Sequence, residues 1–301
     1  MHDLNSSINK DYQIIKTIII QIYLFVNDFT INRHYIIGKT NYFCCDFIIN
    51  SMNRYLLKLA YNGLRYHGWQ IQDNAHSVQA EISDKLSILL KDNISLIGCG
   101  RTDTGVHAKQ FYAHFDFADL EWNFMDLIYK LNSFLPSDIV IYDLISVDDS
   151  FNSRFSALSR TYKYYISTVK DPFSEKVSYF FNGDLNIDDM NAACKYLLHY
   201  TDFTSFSKLH TQTATNDCKI ETAYFKETND NLVFTITADR FLRNMVRAIM
   251  GTLLEIGKGR LSIEDMPKII EAKDRGKAGF SVPAHGLFLE VVKYPDNFQI
   301  S

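Results

Sequence analysis

The chain has 301 residues, enough for one large domain or two modest ones with a sizeable core. Its five cysteines, Cys44, Cys45, Cys99, Cys194 and Cys218, form no C-x-x-C pair and no ligand-spaced Cys/His cluster, which argues against a zinc site and for a reducing cytoplasm. A formal net charge of −4 argues only weakly against nucleic acid, because RNA answers to the local field of a basic patch rather than to the total.

In chain order, Met1 to Ser51 stands apart in composition. It is crowded with Ile, Asn, Tyr and Phe, lacks Ala, Glu, Pro and Trp, and has only Gly38 among glycines. Its apolar run, Tyr12 to Val26, is interrupted by Lys16 and Gln21 and falls short of the ~20 residues that span a bilayer. No basic start with a small-residue cleavage site marks a secretory signal. The residue types are those of AT-rich codons, so residues 1–51 are expected to be a non-native or disordered extension, with Met52 the working start. A membrane-surface anchor is the rival reading.

From Met52 strand and helix patterns alternate. Tyr55 to Tyr61 reads as a strand. Ser77 caps a helix carrying Val78, Ile82, Leu86 and Leu89. Ile94 to Cys99 and Phe111 to Phe117 read as strands, Trp122 to Phe134 as a helix, and Ile139 to Val147 as a strand. The second series has strands at Thr161 to Ser167, Ile220 to Lys226, Leu232 to Ala238 and Leu287 to Lys293. Its helices fall at Ile187 to His199, Phe241 to Ile256 and Ile263 to Ala272. The order βαββαβ followed by βαββααβ predicts an α+β fold. Two ferredoxin-like or RRM-like halves, residues 52–153 and 154–301, would have mixed antiparallel sheets flanking a central cleft.

Three segments could carry chemistry. The loop Gly98 to Val106 holds Arg101, Thr102 and Asp103; taken alone, Asp-x-Gly reads as a turn, and His107 as a packed or solvated histidine. The helix expected beyond Asp239 puts Arg240, Arg243 and Arg247 at i, i+3 and i+7, a stripe of about 10 Å at 1.5 Å per residue. Such a stripe suits a phosphate backbone, an inward carboxylate or simply solvent. Phe151 to Ile166 interleaves Arg154, Arg160 and Lys163 with Phe155, Tyr162, Tyr164 and Tyr165, a pattern for backbone contact with base stacking, or for strand packing alone.

Further motifs tie these segments together: Tyr61-Asn62-Gly63 with Tyr66-His67-Gly68-Trp69-Gln70, Ser77-Val78-Gln79, Gly100 to His107, and Phe151 to Tyr164. Asp202 to Phe206, Met245-Val246-Arg247 and Gly286 to Leu289 follow. In this order, from about Met52 to Pro295, they resemble the tRNA pseudouridine synthase A family, whose catalytic loop reads G-R-T-D-A-G-V-H. Thr104 stands in place of the usual Ala, and Asn152-Ser153 in place of a variable pair normally ending in Ala; both leave the reactive side chains in place.

The resemblance implies isomerisation of uridine to pseudouridine at positions 38 to 40 of the tRNA anticodon arm, without cofactor or metal. It makes Asp103 the catalytic nucleophile, attacking the nucleotide covalently or drawing off a proton. Arg247 is then its charge partner, Tyr162 the ring that stacks on the base and can assist deprotonation at C5, and Leu287 the wall behind it. Arg101 would fill the stack vacated by an extruded uridine, and Arg154, Arg160 and Arg243 would contact the substrate. A cytoplasmic homodimer, away from any membrane, with one tRNA across both protomers is also implied. Two rival readings are a noncatalytic RNA-binding module on paired RRM-like sheets and a hydrolase using Asp103 and His107, with or without a metal.

Overall fold

The computed structural model describes residues 52–118, 120–208, 215–228, 231–296 and 298; the expectation for residues 1–51 lies outside them. Strand β1 (Asn53–Tyr61) is followed by helix α1 (Val78–Leu90), which starts where Ser77 accepts a hydrogen bond from the Ala80 N–H. Strands β2 (Ile97–Gly98) and β3 (His107–Phe117) come next, then helix α2 (Phe124–Phe134), capped by Asn123, and strand β4 (Ile139–Val147). The chain continues through β5 (Ser159–Ser167), β6 (Tyr179–Phe180), α3 (Ile187–Leu197), β7 (Ile220–Glu227) and β8 (Asn231–Ala238). Helices α4 (Met245–Gly257) and α5 (Asp265–Ala272) lead into β9 (Leu287–Lys293).

Among the described residues, nine strands join one mixed sheet in the order β4-β1-β3-β9-β5-β8-β7, with β2 on β3 and β6 on β5. With five α-helices among the described residues, the architecture is α+β. Most neighbours are antiparallel, but β3 and β9 run parallel and pair only at His107↔Phe288 and Ala108↔Leu289. Farther along, the same edge of β3 pairs with β2, at Ile97↔His114 and Gly98↔Ala113. The loop 99–106 therefore leaves the sheet where β3 changes partner, a place where the ladder itself opens a gap.

Two apolar clusters carry the packing. One gathers Leu56, Leu59, Ile82, Leu86, Phe111 and Leu131; the other gathers Met190, Leu197, Phe234, Ile236, Ile249 and Leu253. Each such side chain contributes roughly 1.5–3 kcal/mol on burial. Helix α4 is buried on nearly every side, which explains why its sequence is apolar all round rather than striped.

Three expected elements change. The helix expected from Phe241 begins only at Met245, because Asn244 is left-handed (φ 68) and a right-handed helix cannot run through it. Arg240, Arg243 and Arg247 are thus not a helical stripe, and the first two lie on the segment before the helix. The strand expected over Ile94 to Cys99 shrinks to Ile97–Gly98, while β3 starts earlier than Phe111 because His107 and Ala108 reach β9.

Candidate active site

Residues 66–69 lie directly under the Asp103 loop and hold it by main-chain contact. Gly68 is left-handed (φ +89), and a Cβ there would stand 2.3 Å from the Thr102 carbonyl oxygen, so only glycine permits this approach. Trp69 N–H donates to Thr102 O (3.3 Å), Gly105 N–H to Tyr66 O (3.3 Å), and Val106 N–H to Asp103 O (3.1 Å). The last bond closes a turn, so the bland reading of Asp-x-Gly and the chemical one describe the same loop. Thr102 is buried, its hydroxyl bonded to that of Tyr61 (2.9 Å). With Thr102 fixed inward, Asp103 faces the cleft, its side chain 22% exposed.

Two arginines approach the carboxylate from the segment around the start of α4. Arg243 Nε lies 3.7 Å from Oδ1 and Arg247 Nη1 3.6 Å from Oδ2. These separations exceed those of charge-assisted hydrogen bonds, so the carboxylate is balanced in charge while both oxygens stay free to meet a reacting atom. The arginines are held differently. Arg247 donates through Nε to Val282 O (2.7 Å), and Val282 N–H donates back to Arg247 O (3.3 Å). Arg243 is 58% exposed, against 21% for Arg247, and its side chain has no other polar contact among the described residues.

The cleft in front of Asp103 measures about 650 Å³ and is lined by Asp103, Thr104, Lys208, Arg243, Asn244, Arg247, Arg275 and Ser281. That volume suits a nucleotide-sized ligand, and four cations in its wall face a single carboxylate. Lys208, Arg275, Asn244 and Ser281 were not foreseen from the sequence. Nothing local distinguishes them, because the chain path alone brings residues 208, 244, 275 and 281 together.

The other expected residues fall in three places. Arg154 is exposed above the Phe155 ring (5.3 Å), and burial together with the charges of Arg101, Arg240 and Arg160 holds its guanidinium below the usual range. Those four arginines form a basic patch beside the loop, which answers the objection raised by the net charge. Arg160 is committed to protein: Nη1 donates to Asp239 O (2.7 Å) and Ala157 O (3.0 Å), Nη2 to Cys99 O (3.1 Å) and to Arg154 O. It ties the base of the Asp103 loop to the segment leading into Arg243.

Tyr162 is half-buried, packs edge-to-face on Phe241 (5.2 Å) and touches both core clusters, but it is not part of the cleft lining. Burial, reinforced by nearby Cys99 and Asp103, pushes its hydroxyl above the ordinary tyrosine range. Leu287 is buried with Val106 and Tyr164. His107 is fully engaged: Nδ1 accepts from Gly63 N–H (3.2 Å), which puts the proton on Nε2, and Nε2 donates to His285 O (3.1 Å). Its ring stacks on Phe288 (4.4 Å), and burial pushes its pKa down to about 4. A neutral imidazole with both nitrogens bonded has no lone pair to spare as a general base.

Residues 193–295 match a family model described as tRNA pseudouridine synthase, which sets the chain among isomerases that act on tRNA. Curated relatives match over far more of the chain. A tRNA pseudouridine synthase A of Parabacteroides distasonis is 52% identical over 245 residues, 81% of this chain and 97% of the relative. Those of Bacteroides fragilis (50% over 246 residues, 81% and 98%) and Francisella philomiragia (41% over 247 residues, 81% and 95%) are also similar. At that identity and coverage the chain belongs to the tRNA pseudouridine synthase A family.

Proposed function

We propose that this isomerase converts uridine to pseudouridine at positions 38 to 40 of the tRNA anticodon arm, with Asp103 as nucleophile. The observation that carries this reading is the lone carboxylate of Asp103, flanked by Arg243 and Arg247 in a nucleotide-sized basic cleft. The N1–C1′ bond breaks, the uracil turns, C5 bonds to C1′, and the proton lost from C5 is matched by one gained at N1, so no redox partner is needed. Arg247, anchored on Val282, holds a positive charge beside the carboxylate at the reacting centre. Tyr162 offers its ring to the base; with its hydroxyl pushed up by burial it acts as a stacking surface rather than as a phenolate base. Leu287 closes the pocket behind it.

A stem uridine must first be extruded, at a cost of a few kcal/mol. Arg101 fills the gap, while Arg154 and Arg243 meet the backbone; Arg160 serves them by fixing the loop. The catalytic unit comprises two halves, residues 52–153 and 154–301, each an RRM-like βαββαβ-type fold. The sheet orders β4-β1-β3(-β2) and β9-β5-β8-β7 support that division, since each sets its strands in the same sequence of places. The enzyme works in the cytoplasm as a homodimer with tRNA across both protomers; no helix among the described residues is long and apolar enough to cross a membrane.

The test is release of tritium from C5-labelled uridine in unmodified tRNA, with sequencing to map the modified positions. Asp103→Asn abolishes release while tRNA binding stays within a few-fold of the unaltered chain; turnover near the unaltered rate would refute the assignment.

A further inference from the structure

Ser281 stands on the wall of the Asp103 cleft in an unusual bonding state. Its hydroxyl oxygen accepts from Asn244 Nδ2 (2.7 Å) and from Arg275 Nη2 (2.9 Å). A serine hydroxyl has two lone pairs and one proton. Both lone pairs are taken here by groups that cannot accept in return, an amide nitrogen and a guanidinium. The proton has no partner among the described residues, and the remaining tetrahedral position is left for a group entering the cleft.

The arrangement is built rather than incidental. Asn244 is held left-handed (φ 68) at the start of α4, and Arg275 is tied back by bonds to Ala278 O (3.4 Å) and Gly279 O (3.0 Å). The next residue, Val282, is the anchor of Arg247, so Ser281 shares a backbone with the group that sets Asp103. A donor-only hydroxyl recognises an acceptor. Uracil carries a carbonyl oxygen at C4 where cytosine carries an amino group, whose hydrogens would oppose the serine proton. Phosphate oxygens are acceptors too, but the exposed cations Lys208 and Arg243 on the same cleft match them better.

We propose that Ser281 is a specificity-determining residue that donates its hydroxyl proton to a carbonyl oxygen of the target uracil, an inference that rests on the isomerase reading above. Single-turnover rates are compared on three tRNAs carrying uridine, 2-thiouridine or 4-thiouridine at the target position, sulfur being the poorer acceptor. The unaltered enzyme should slow about 3- to 10-fold on one of the two thio-substrates, the size of one net hydrogen bond. Ser281→Ala should slow by a similar factor on uridine and show no additional loss on that same thio-substrate.

The idea is overturned if the unaltered enzyme is indifferent to both sulfur substitutions, a result that needs no variant to fold. It is equally overturned if the Ser281→Ala penalty is the same on all three substrates, which would mark a phosphate contact or a purely structural role. Failure of the unaltered chain to make any pseudouridine on the uridine substrate is a separate result, and it would sink the isomerase reading with this one.

Discussion

The two arginines beside the Asp103 carboxylate are held differently. Arg247 is anchored by a reciprocal pair of bonds with Val282, whereas Arg243 extends into solvent. Arg247→Gln should therefore cost about 100-fold or more in kcat, the scale of losing a preorganised charge at a reacting centre. Arg243→Gln should mainly raise KM and lower the salt slope of tRNA binding by about 1, as loss of one phosphate contact does. Steady-state kinetics at several salt concentrations separate the two.

The same contrast marks what could be read ahead of the structure. Asp103 and Arg247 each sit in a motif that is weak alone and informative in order. In the sequence Arg243 belongs to a stripe suited to phosphate, solvent or an inward carboxylate, and its approach to Asp103 depends on a left-handed Asn244 that leaves no periodic trace. Ser281, Arg275 and Lys208 were invisible, because their meaning comes from neighbours distant in the chain.

Among the elements, the contact that places the cleft wall is a crossing of backbones. A Cβ on Gly251 of α4 would stand 1.7 Å from Phe280 O, and Gly279 N–H donates to Thr252 Oγ1 (2.8 Å). Helix and loop touch main chain to main chain, which fixes Ser281 and Val282 relative to Arg247. Gly251→Ala forces them apart and should destabilise the fold by roughly 1–3 kcal/mol, read as a lower denaturant midpoint, with loss of turnover beyond the loss of folded protein. Periodicity located all five helices, since each turns at least one apolar face to a core. It misplaced the start of α4 and overextended β2, because an apolar run records burial, whereas strand pairing is decided by which partner arrives.

Two buried histidines make the whole molecule sensitive to acid. His107 and His114 are each pushed down by burial from 6.5 to about 4, and His114 has an Nε2 buried without a hydrogen-bond partner among the described residues. A depressed histidine contributes stability that is fully present above pH 6.5 and is lost as the pH falls toward 4. Thermal midpoints should drop through that window, and His107→Gln, which retains an acceptor and a donor, should shallow the drop. At the same scale, a chain beginning at Met52 should modify tRNA as fast as the full one; a large loss would give residues 1–51 a role.

The element order expected of a ferredoxin-like half puts its last strand beside its first, as β9 lies beside β5, but it does not name β3 as the partner on the other side. This strand follows every other described strand yet lies in the middle of the sheet, joining residues ~180 positions apart at His107↔Phe288. Ser281 and Val282, which complete the wall facing Asp103, directly precede it. If Asp103 acts as proposed, the nascent polypeptide has no assembled centre until β9 has left the ribosome, and the Asp103 loop alone cannot turn over the tRNA that crowds it there.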